Sequence, residues 1–230
     1  MTLPRVETPM FEGNIASTGE LIKFRPFLVK EEKILMLASE GEDFKEMVNA
    51  CAQIVTNCCD EKIKGHELTM FDLQDLFLKI RSKSVGETAD FTLTCGECEK
   101  STPFELRLDD VKVSGLENPP EKFIKISEDM GVQLKWPTAL IAAQAEELTD
   151  DELVAKCIDY VVAGEETFSI ENEPIEEVNS FIEDLPIDAM DKMRAFFQQM
   201  PRIEHVVEYK CPHCETDNSI SINGYEHFFG

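Results

Sequence analysis

Two short cysteine motifs, far apart in the sequence, constrain this chain more than any other feature. Residues 95–98 read Cys-Gly-Glu-Cys and residues 211–214 read Cys-Pro-His-Cys. Strand-like runs flank both motifs, so the sequence holds two copies of a strand–turn–strand unit. Two such units, each supplying two thiolates, build a four-cysteine zinc ribbon. We predict one structural Zn²⁺ per chain, bound by Cys95, Cys98, Cys211 and Cys214.

A shared ion would also determine the path of the chain. It would close a loop of 112 residues, 99–210, and return the C-terminal segment to the middle of the sequence. Closing so long a loop removes conformational freedom mainly from the unfolded chain. Because four protein ligands complete the tetrahedral coordination of zinc, no position is left for a substrate or a reactive water. The predicted site is therefore structural and not catalytic.

Redox chemistry is the main alternative for the second motif. Cys-Pro-His-Cys is also the dithiol of a strongly oxidising thioredoxin-like fold, in which the first cysteine lies at a helix N-terminus. Here a turn and a strand-like run follow Cys214, and the sixteen remaining residues are too few for the rest of that fold. A redox dithiol or disulfide, and unpaired thiols, stay open as alternatives to zinc.

The other cysteines and two histidines have lesser predicted roles. Cys51, Cys58 and Cys157 lie on apolar faces of predicted helices, where a free cysteine packs as a small buried hydrophobic group. His213 is interpreted as a filler of the second cysteine turn. His227 would serve as a ligand only if one of the two motifs were distorted.

Composition and charge argue against several classes of partner. No run reaches the roughly 18 apolar residues of a membrane helix, and the first residues lack the apolar core of a signal peptide. We therefore expect a cytoplasmic protein without a membrane partner. The formal charge of −24 repels phosphate backbones, which argues against nucleic-acid binding and favours a basic protein partner.

Catalytic motifs give no indication of an enzyme. The sequence has no phosphate-binding loop, no Gly-x-Ser-x-Gly elbow and no His-Glu-x-x-His zinc motif. Its acidic pairs are too numerous for any one of them to be singled out as a general acid and base. We expect neither catalysis nor a small-molecule substrate.

Local patterns predict an α+β fold with helical layers, β-hairpins and the zinc-ribbon-like module. Thr149 and Glu152 form a capping-box pattern, and the apolar stripe that follows is assigned to the same helix as far as Val161. We divide the chain into an extended N-terminal arm (1–19), an N-terminal strand and helices (20–87), the zinc-ribbon-like module (88–110 with 204–230) and an acidic, mainly helical insertion (111–203).

The insertion carries most of the charge asymmetry. Residues 139–191 contain sixteen Asp or Glu and a single basic residue, Lys156. A solvated acidic face is the simpler interpretation. Docking on a basic partner is the functional alternative.

Two further stretches of sequence are distinctive. Residues 24–33 read Phe-Arg-Pro-Phe-Leu-Val-Lys-Glu-Glu-Lys, and residues 81–87 read Arg-Ser-Lys-Ser-Val-Gly-Glu. With Phe-Asp-Leu at 71–73 and the first cysteine motif, they resemble the baseplate hub family of T4-like contractile-tailed bacteriophages over residues 19–100, and more loosely at 224–229. The resemblance implies a non-enzymatic phage protein, either a part of the baseplate hub or a factor needed to assemble it.

The sequence thus leads to a hypothesis of protein–protein interaction in tail baseplate assembly, with other baseplate or tail proteins as partners. The expected location is the host cytoplasm during assembly, or the tail baseplate of the virion. A zinc-ribbon regulator that binds a host polymerase is the first alternative. A thiol oxidoreductase that uses residues 211–214 is the second.

Overall fold

The computed structural model describes residues 6–41 and 43–223, with the side chains of 172, 175 and 223 left aside. The chain divides into two compact units. The first unit contains the described residues up to Ser114 and those from Arg202 onward, and the second contains Gly115–Pro201. The fold is a mixed α+β architecture, as predicted, with helices and small antiparallel sheets in the described part of the chain.

The elements follow one another in this order. The first unit begins with β1 (Phe11–Asn14), β2 (Leu21–Phe24), α1 (Val29–Glu40), α2 (Phe44–Cys58), α3 (Met70–Ser84), β3 (Thr88–Thr94), β4 (Ser101–Arg107) and β5 (Lys112–Ser114). The second unit holds β6 (Phe123–Lys125), β7 (Met130–Leu134), α4 (Ala139–Ala142), α5 (Asp150–Lys156), β8 (Ile158–Ala163), β9 (Glu166–Ser169), α6 (Ile175–Glu183) and α7 (Ile187–Gln198). The first unit is completed by β10 (Arg202–Lys210) and β11 (Asp217–Asn223).

Helices α2 and α3 supply much of the core of the first unit. Helix α2 buries a continuous face that includes Val48, Cys51 and Ile54, each fully inaccessible to solvent. Each helix has a side-chain cap at its start: Asp43 accepts the Glu46 N–H, and Thr69 accepts the Asp72 N–H. An apolar stripe at the helical period and a polar cap are the two signals from which a helix is predicted in sequence.

The N-terminal segment differs from the predicted arm. Its residues 11–14 form β1, which pairs in antiparallel fashion with β2. The link between these strands is anchored because Ser17 donates from its backbone N–H and its hydroxyl to the buried Asp72 carboxylate, at 2.8 and 2.6 Å. A pairing partner only seven residues away gives β1 a structure that its own weak periodicity does not indicate. Residues 1–5 lie outside the described residues.

A buried ion pair fixes the start of α1. The Glu31 side chain is fully inaccessible, and its Oε1 lies 3.1 Å from Nη2 of Arg25. The other carboxylate oxygen accepts the Leu28 N–H at 2.9 Å, which satisfies one of the free N–H groups at the helix start. Burial opposes ionisation, but bonds from Arg25, Leu28 and Lys30 outweigh it and hold the pKa of Glu31 below its ordinary value.

The two predicted strand–turn–strand units are both present as hairpins. Strand β3 pairs with β4 from Thr88↔Arg107 to Thr94↔Ser101, and β10 pairs with β11 along seven residue pairs. Strand β10 also pairs with β5, so its sheet has the order β11-β10-β5. Both hairpins contribute to one apolar cluster with Leu78 of α3; its buried members include Ala89, Leu93, Leu106, Ile203, Val207 and Ile222.

Within the mainly helical insertion the sequence predicts only one strand pair, at 122–126 and 132–136, whereas the second unit contains a four-stranded antiparallel sheet. Its order is β6-β7-β8-β9. The predicted capping box of Thr149 and Glu152 is confirmed, but the helix it opens, α5, ends at Lys156. The prediction that this helix continues as far as Val161 is therefore wrong, because residues 158–161 belong to β8. A short apolar run fits a helix and a buried strand equally well, and β-branched residues then favour the strand.

No helix in the described part of the chain is both long enough and apolar enough to cross a membrane.

Removing the Glu31 carboxylate is expected to destabilise the first unit strongly. In Glu31→Ala the Arg25 guanidinium, which is 17% exposed, would lose its buried partner. Breaking a buried pair costs about 3–5 kcal/mol, and the partial exposure of Arg25 reduces the expected loss to about 2–4 kcal/mol. Urea denaturation measures this loss, with Glu32→Ala, an exposed neighbour on the same helix, as the control. Equal stability of the two variants would contradict the structural role of the pair.

The same pair predicts a dependence on pH. Because the folded-state pKa of Glu31 is depressed, its stabilisation is fully present above the ordinary glutamate pKa and is lost as the pH falls through the folded value. The stability difference between the wild type and Glu31→Ala should therefore shrink in acid. A difference that stays constant down to the acid transition would contradict this assignment.

Candidate metal centre

Each cysteine motif lies in a tight turn at the end of a hairpin, and the two turns have the same backbone hydrogen bonds. In the first, the Cys95 N–H donates to Lys100 O at 3.0 Å and the Glu99 N–H donates to Cys95 O at 3.0 Å. In the second turn, the Cys211 N–H donates to Thr216 O and the Glu215 N–H donates to Cys211 O, both at 2.9 Å. The repeated pattern of the sequence is therefore a repeated structure.

Each turn places a glutamate in the left-handed backbone region. The φ angles of Glu99 and Glu215, the residues directly after the second cysteine of each motif, are 56° and 61°. A residue with a Cβ atom is strained in this conformation, and glycine is not. Both turns therefore adopt their shape against a local preference, which indicates that contacts elsewhere hold them.

The turns bring the four predicted ligands together. The four Sγ atoms all lie within 4.8 Å of one another; they belong to Cys95, Cys98, Cys211 and Cys214. Two of these separations cross between the turns, at 3.6 Å for Cys95–Cys214 and 3.7 Å for Cys98–Cys211.

These separations suit a tetrahedral metal ion better than a disulfide. Four sulfurs at about 2.3 Å from one Zn²⁺ lie about 3.8 Å apart, whereas a disulfide needs a separation of about 2.05 Å. All eight cysteines of the chain are free thiols in the structure. The donor set is also the right type, since thiolates are the ligands of structural zinc sites.

The thiols of the cluster cannot all ionise easily without a cation. The N–H groups of Cys98 and Glu97 stabilise the Cys95 thiolate and lower its pKa to about 6. The Lys100 N–H also favours a Cys98 thiolate, but burial and the other three sulfurs outweigh it and raise the pKa of Cys98 to about 12. Hydrogen bonds thus lower one thiol pKa, while burial and neighbouring sulfurs raise the other, and a bound dication would favour the thiolate form of both.

One polar side chain links the two turns directly. The Asn218 Oδ1 atom, on β11, accepts the Gly96 N–H at 3.2 Å. At the edge of the cluster, Cys214 Sγ lies 3.4 Å from Thr216 Oγ1, and bonds from Thr216 lower the pKa of Cys214. Cys95 and Cys211 are buried and Cys214 is exposed, so the cluster lies at the surface with one side open to solvent.

The remaining predicted residues take the lesser roles expected of them or lie outside the description. The His213 side chain is exposed, and its backbone N–H donates to Cys211 Sγ at 3.4 Å. His227 lies outside the described residues. Cys51, Cys58 and Cys157 are buried, as predicted, and burial raises the pKa of each thiol, to about 11 for Cys58 and about 12 for Cys157.

The surroundings of Cys211 differ from those of a redox dithiol. The residues that follow Cys214 form a turn and then β11, whereas a thioredoxin-like dithiol needs a helix N-terminus beside its first cysteine to stabilise a reactive thiolate. The segment directly after Cys214 is therefore not the helix that such a dithiol requires.

Asn218 and the two left-handed glutamates are the functional features that sequence reasoning missed. A glycine after each motif would have signalled the turn, but Glu99 and Glu215 occupy those positions. The only signal for Asn218 in the sequence is its position seven residues after Cys211, directly before the predicted strand of residues 219–222.

Comparison with protein families shows a match to a known family. A family model described as "T4 bacteriophage base plate protein" matches residues 8–230, which is nearly the whole chain. No curated protein and no solved structure matches the chain.

Relief of the backbone strain in the first cysteine turn is expected to stabilise the protein. Glu99→Gly should raise the free energy of unfolding by about 0.5–1 kcal/mol, because glycine adopts a φ of 56° without steric conflict. The control is Glu97→Gly in the same turn, which has no positive φ to relieve and should lower stability by a similar amount. Chemical denaturation measures both, and a loss of stability in Glu99→Gly would contradict the argument.

Proposed function

The chain belongs to the family of T4 bacteriophage base plate proteins, and we propose that it works in the baseplate hub through contacts with other tail proteins. It acts there either as a structural part of the hub or as a factor that assembles it. The match of the family model over residues 8–230 carries this proposal. Resemblance of residues 24–33 and 81–87 to the hub family supports the more specific assignment to the hub.

A structural role agrees with the chemistry of the cysteine cluster. If Cys95, Cys98, Cys211 and Cys214 hold one Zn²⁺, the ion has four protein ligands and no open position. Such an ion supplies no reaction chemistry; it stabilises the folded arrangement of its ligands. We therefore propose a non-enzymatic protein without a small-molecule substrate.

A bound Zn²⁺ would cross-link two parts of the chain that are distant in sequence. The residues that would hold it come from the β3–β4 turn and the β10–β11 turn, 112 residues apart. We propose that these hairpins form the zinc-ribbon-like module, residues 88–110 with 204–230, and that this module closes the insertion at 111–203. The N-terminal elements up to residue 87 then pack on the module through the Leu78 cluster.

The charge of the chain favours protein partners over nucleic acid. With 46 acidic and 22 basic residues, the surface repels phosphate groups, and binding to DNA or RNA depends on neutralising them. A regulator that binds a host polymerase would be compatible with this charge, but the family match supports the baseplate role. We propose that assembly takes place in the host cytoplasm before association with the virion tail.

Purified protein is expected to contain about one zinc per chain, measured by elemental analysis. Cys95→Ser should lower the zinc content and speed amide exchange in β11 as well as in β3 and β4, because both hairpins share the ion. Cys59→Ser, a change at a partly buried thiol outside the cluster, is the control and should retain the metal. Full zinc content in Cys95→Ser, or an exchange effect confined to β3 and β4, would contradict a shared site.

Affinity purification of the chain from infected cells should recover baseplate proteins or their assembly intermediates. Loss of the chain should leave the hub incomplete, visible as absent or defective baseplates in electron micrographs. Normal baseplates without the chain, or recovery of an RNA polymerase in place of tail proteins, would reject the proposed function. Cys59→Ser is again the control: when it is supplied in place of the missing chain, normal baseplates should form.

A further inference from the structure

The second unit has a groove of about 240 Å³. Strands β7, β8 and β9 and helix α6 line it. Most of the lining is apolar, including Val161 of β8, Phe168 of β9 and Phe181 of α6. The Phe168 side chain is 41% exposed, so a large apolar group stays open to solvent at this groove. Exposed apolar grooves of this kind are typical of binding sites.

Two glutamates add negative charge to the apolar lining. Glu173 and Glu177 both line the groove, and neither has an ion-pair partner in the part of the chain that the structure describes. The basic side chains Lys135, Lys192 and Arg194 of the same unit each lie within 3.5 Å of a different carboxylate. The ion pairs of these three side chains include neither groove carboxylate.

The whole unit has the same sign of charge as the groove. Residues 115–201 contain twenty acidic and six basic side chains. A field of this sign attracts cationic partners and repels anionic ones. An apolar groove with unpaired carboxylates, in a strongly acidic unit, is complementary to a segment that carries both apolar and basic side chains.

We propose that this groove binds an amphipathic, cationic segment of another baseplate protein. The apolar side chains of the segment would cover Phe168 and its apolar neighbours, and its Lys or Arg side chains would pair with Glu173 and Glu177. The inference rests on the proposed function for the source of the segment, and it specifies the chemistry by which the partner is recognised. A helix with an apolar stripe flanked by basic residues meets both requirements.

Charge distinguishes this occupant from the alternatives. A second copy of the chain would bring a further formal charge of −24 to the same surface. A neutral apolar ligand would remove Glu173 and Glu177 from water without offering them a partner, which is unfavourable for a carboxylate. Only a segment with its own positive charge gains from both parts of the groove.

Synthetic peptides test this chemistry with the full-length protein. The probe is a fluorescent 18-residue helical peptide with leucines along one face and lysines beside them. A second peptide replaces each lysine by glutamine, and a third scrambles the leucine positions. Fluorescence anisotropy at low ionic strength measures binding of each. We expect the cationic amphipathic peptide to bind at least tenfold more tightly than either of the others, and its affinity to fall as salt is added.

Paired variants identify the groove as the site. Glu173→Gln with Glu177→Gln should weaken binding of the cationic peptide about tenfold, which is about 1.4 kcal/mol, because two surface ion pairs are lost. The control is Glu117→Gln with Glu121→Gln, which makes the same change in net charge at two exposed carboxylates outside the groove. The control should change affinity less than twofold. Phe168→Ser should also weaken binding, without changing the thermal melt by more than a few degrees.

Several outcomes would overturn the inference. Equal weakening by both glutamine pairs would indicate attraction to net charge alone, and no binding of the cationic peptide would reject the groove as its site. Tighter binding of the glutamine peptide would indicate a neutral partner, and self-association abolished by Phe168→Ser would indicate a second copy.

The inference and the proposed function can fail separately. If the groove variants still co-purify with baseplate proteins as well as the wild type does, the groove assignment fails and the baseplate role stands. If the peptide results hold but the wild-type chain never associates with baseplates or their intermediates, the groove chemistry stands and the proposed function fails.

Discussion

The approach of two cysteine turns, distant in sequence, is the contact on which the architecture of the first unit depends. An isolated two-stranded hairpin is only marginally stable in water. Strands β3 and β4 form a two-stranded sheet, and the β10–β11 hairpin gains only the short strand β5. The apolar cluster around Leu78 packs strands of both hairpins together, and the four Sγ atoms of the two turns lie within 4.8 Å of one another. Asn218 adds a hydrogen bond to Gly96 across the gap. A metal ion bound by the four thiolates would link the two hairpins and stabilise their folded arrangement.

The second unit, residues 115–201, begins and ends beside one pair of strands in the first unit. The chain leaves the first unit after Ser114 and re-enters it at Arg202, and these two residues are paired across β5 and β10. The insertion therefore begins and ends at neighbouring positions of one sheet. This arrangement lets an 87-residue unit with its own sheet and helices occupy a single loop of the first unit. Folding of the first unit then requires contacts across a long sequence separation, which is an entropic cost that an ion shared by both turns would reduce.

The features that could be predicted from sequence share a local cause. The cysteine spacing predicts each turn, and the stripes and caps of α2 and α3 lie within single helical segments. The features that were missed depend on contacts that no local pattern specifies. The buried pair of Arg25 and Glu31 resembles ordinary surface charge in the sequence, and the stretch from Ile158 onward has an apolar pattern that suits a helix as well as β8. Only pairing with β7 and β9 decides between the two.

The division into two units also separates the two proposed roles. The first unit carries the cysteine cluster, in which a bound Zn²⁺ would have four protein ligands and no substrate position. The second carries most of the excess negative charge and the apolar groove lined by Glu173 and Glu177. In a baseplate protein that acts through contacts, the first arrangement suits the maintenance of shape and the second suits recognition of a partner.

X-ray absorption spectroscopy at the zinc edge tests the central claim most directly, because it reports the ligands of a bound ion without requiring a mutation. A site shared by the two cysteine turns predicts four sulfur neighbours at about 2.3 Å and no nitrogen or oxygen in the first shell. Protein that contains no zinc, or zinc with two sulfurs and lighter ligands, would show that the turns do not bind one ion between them.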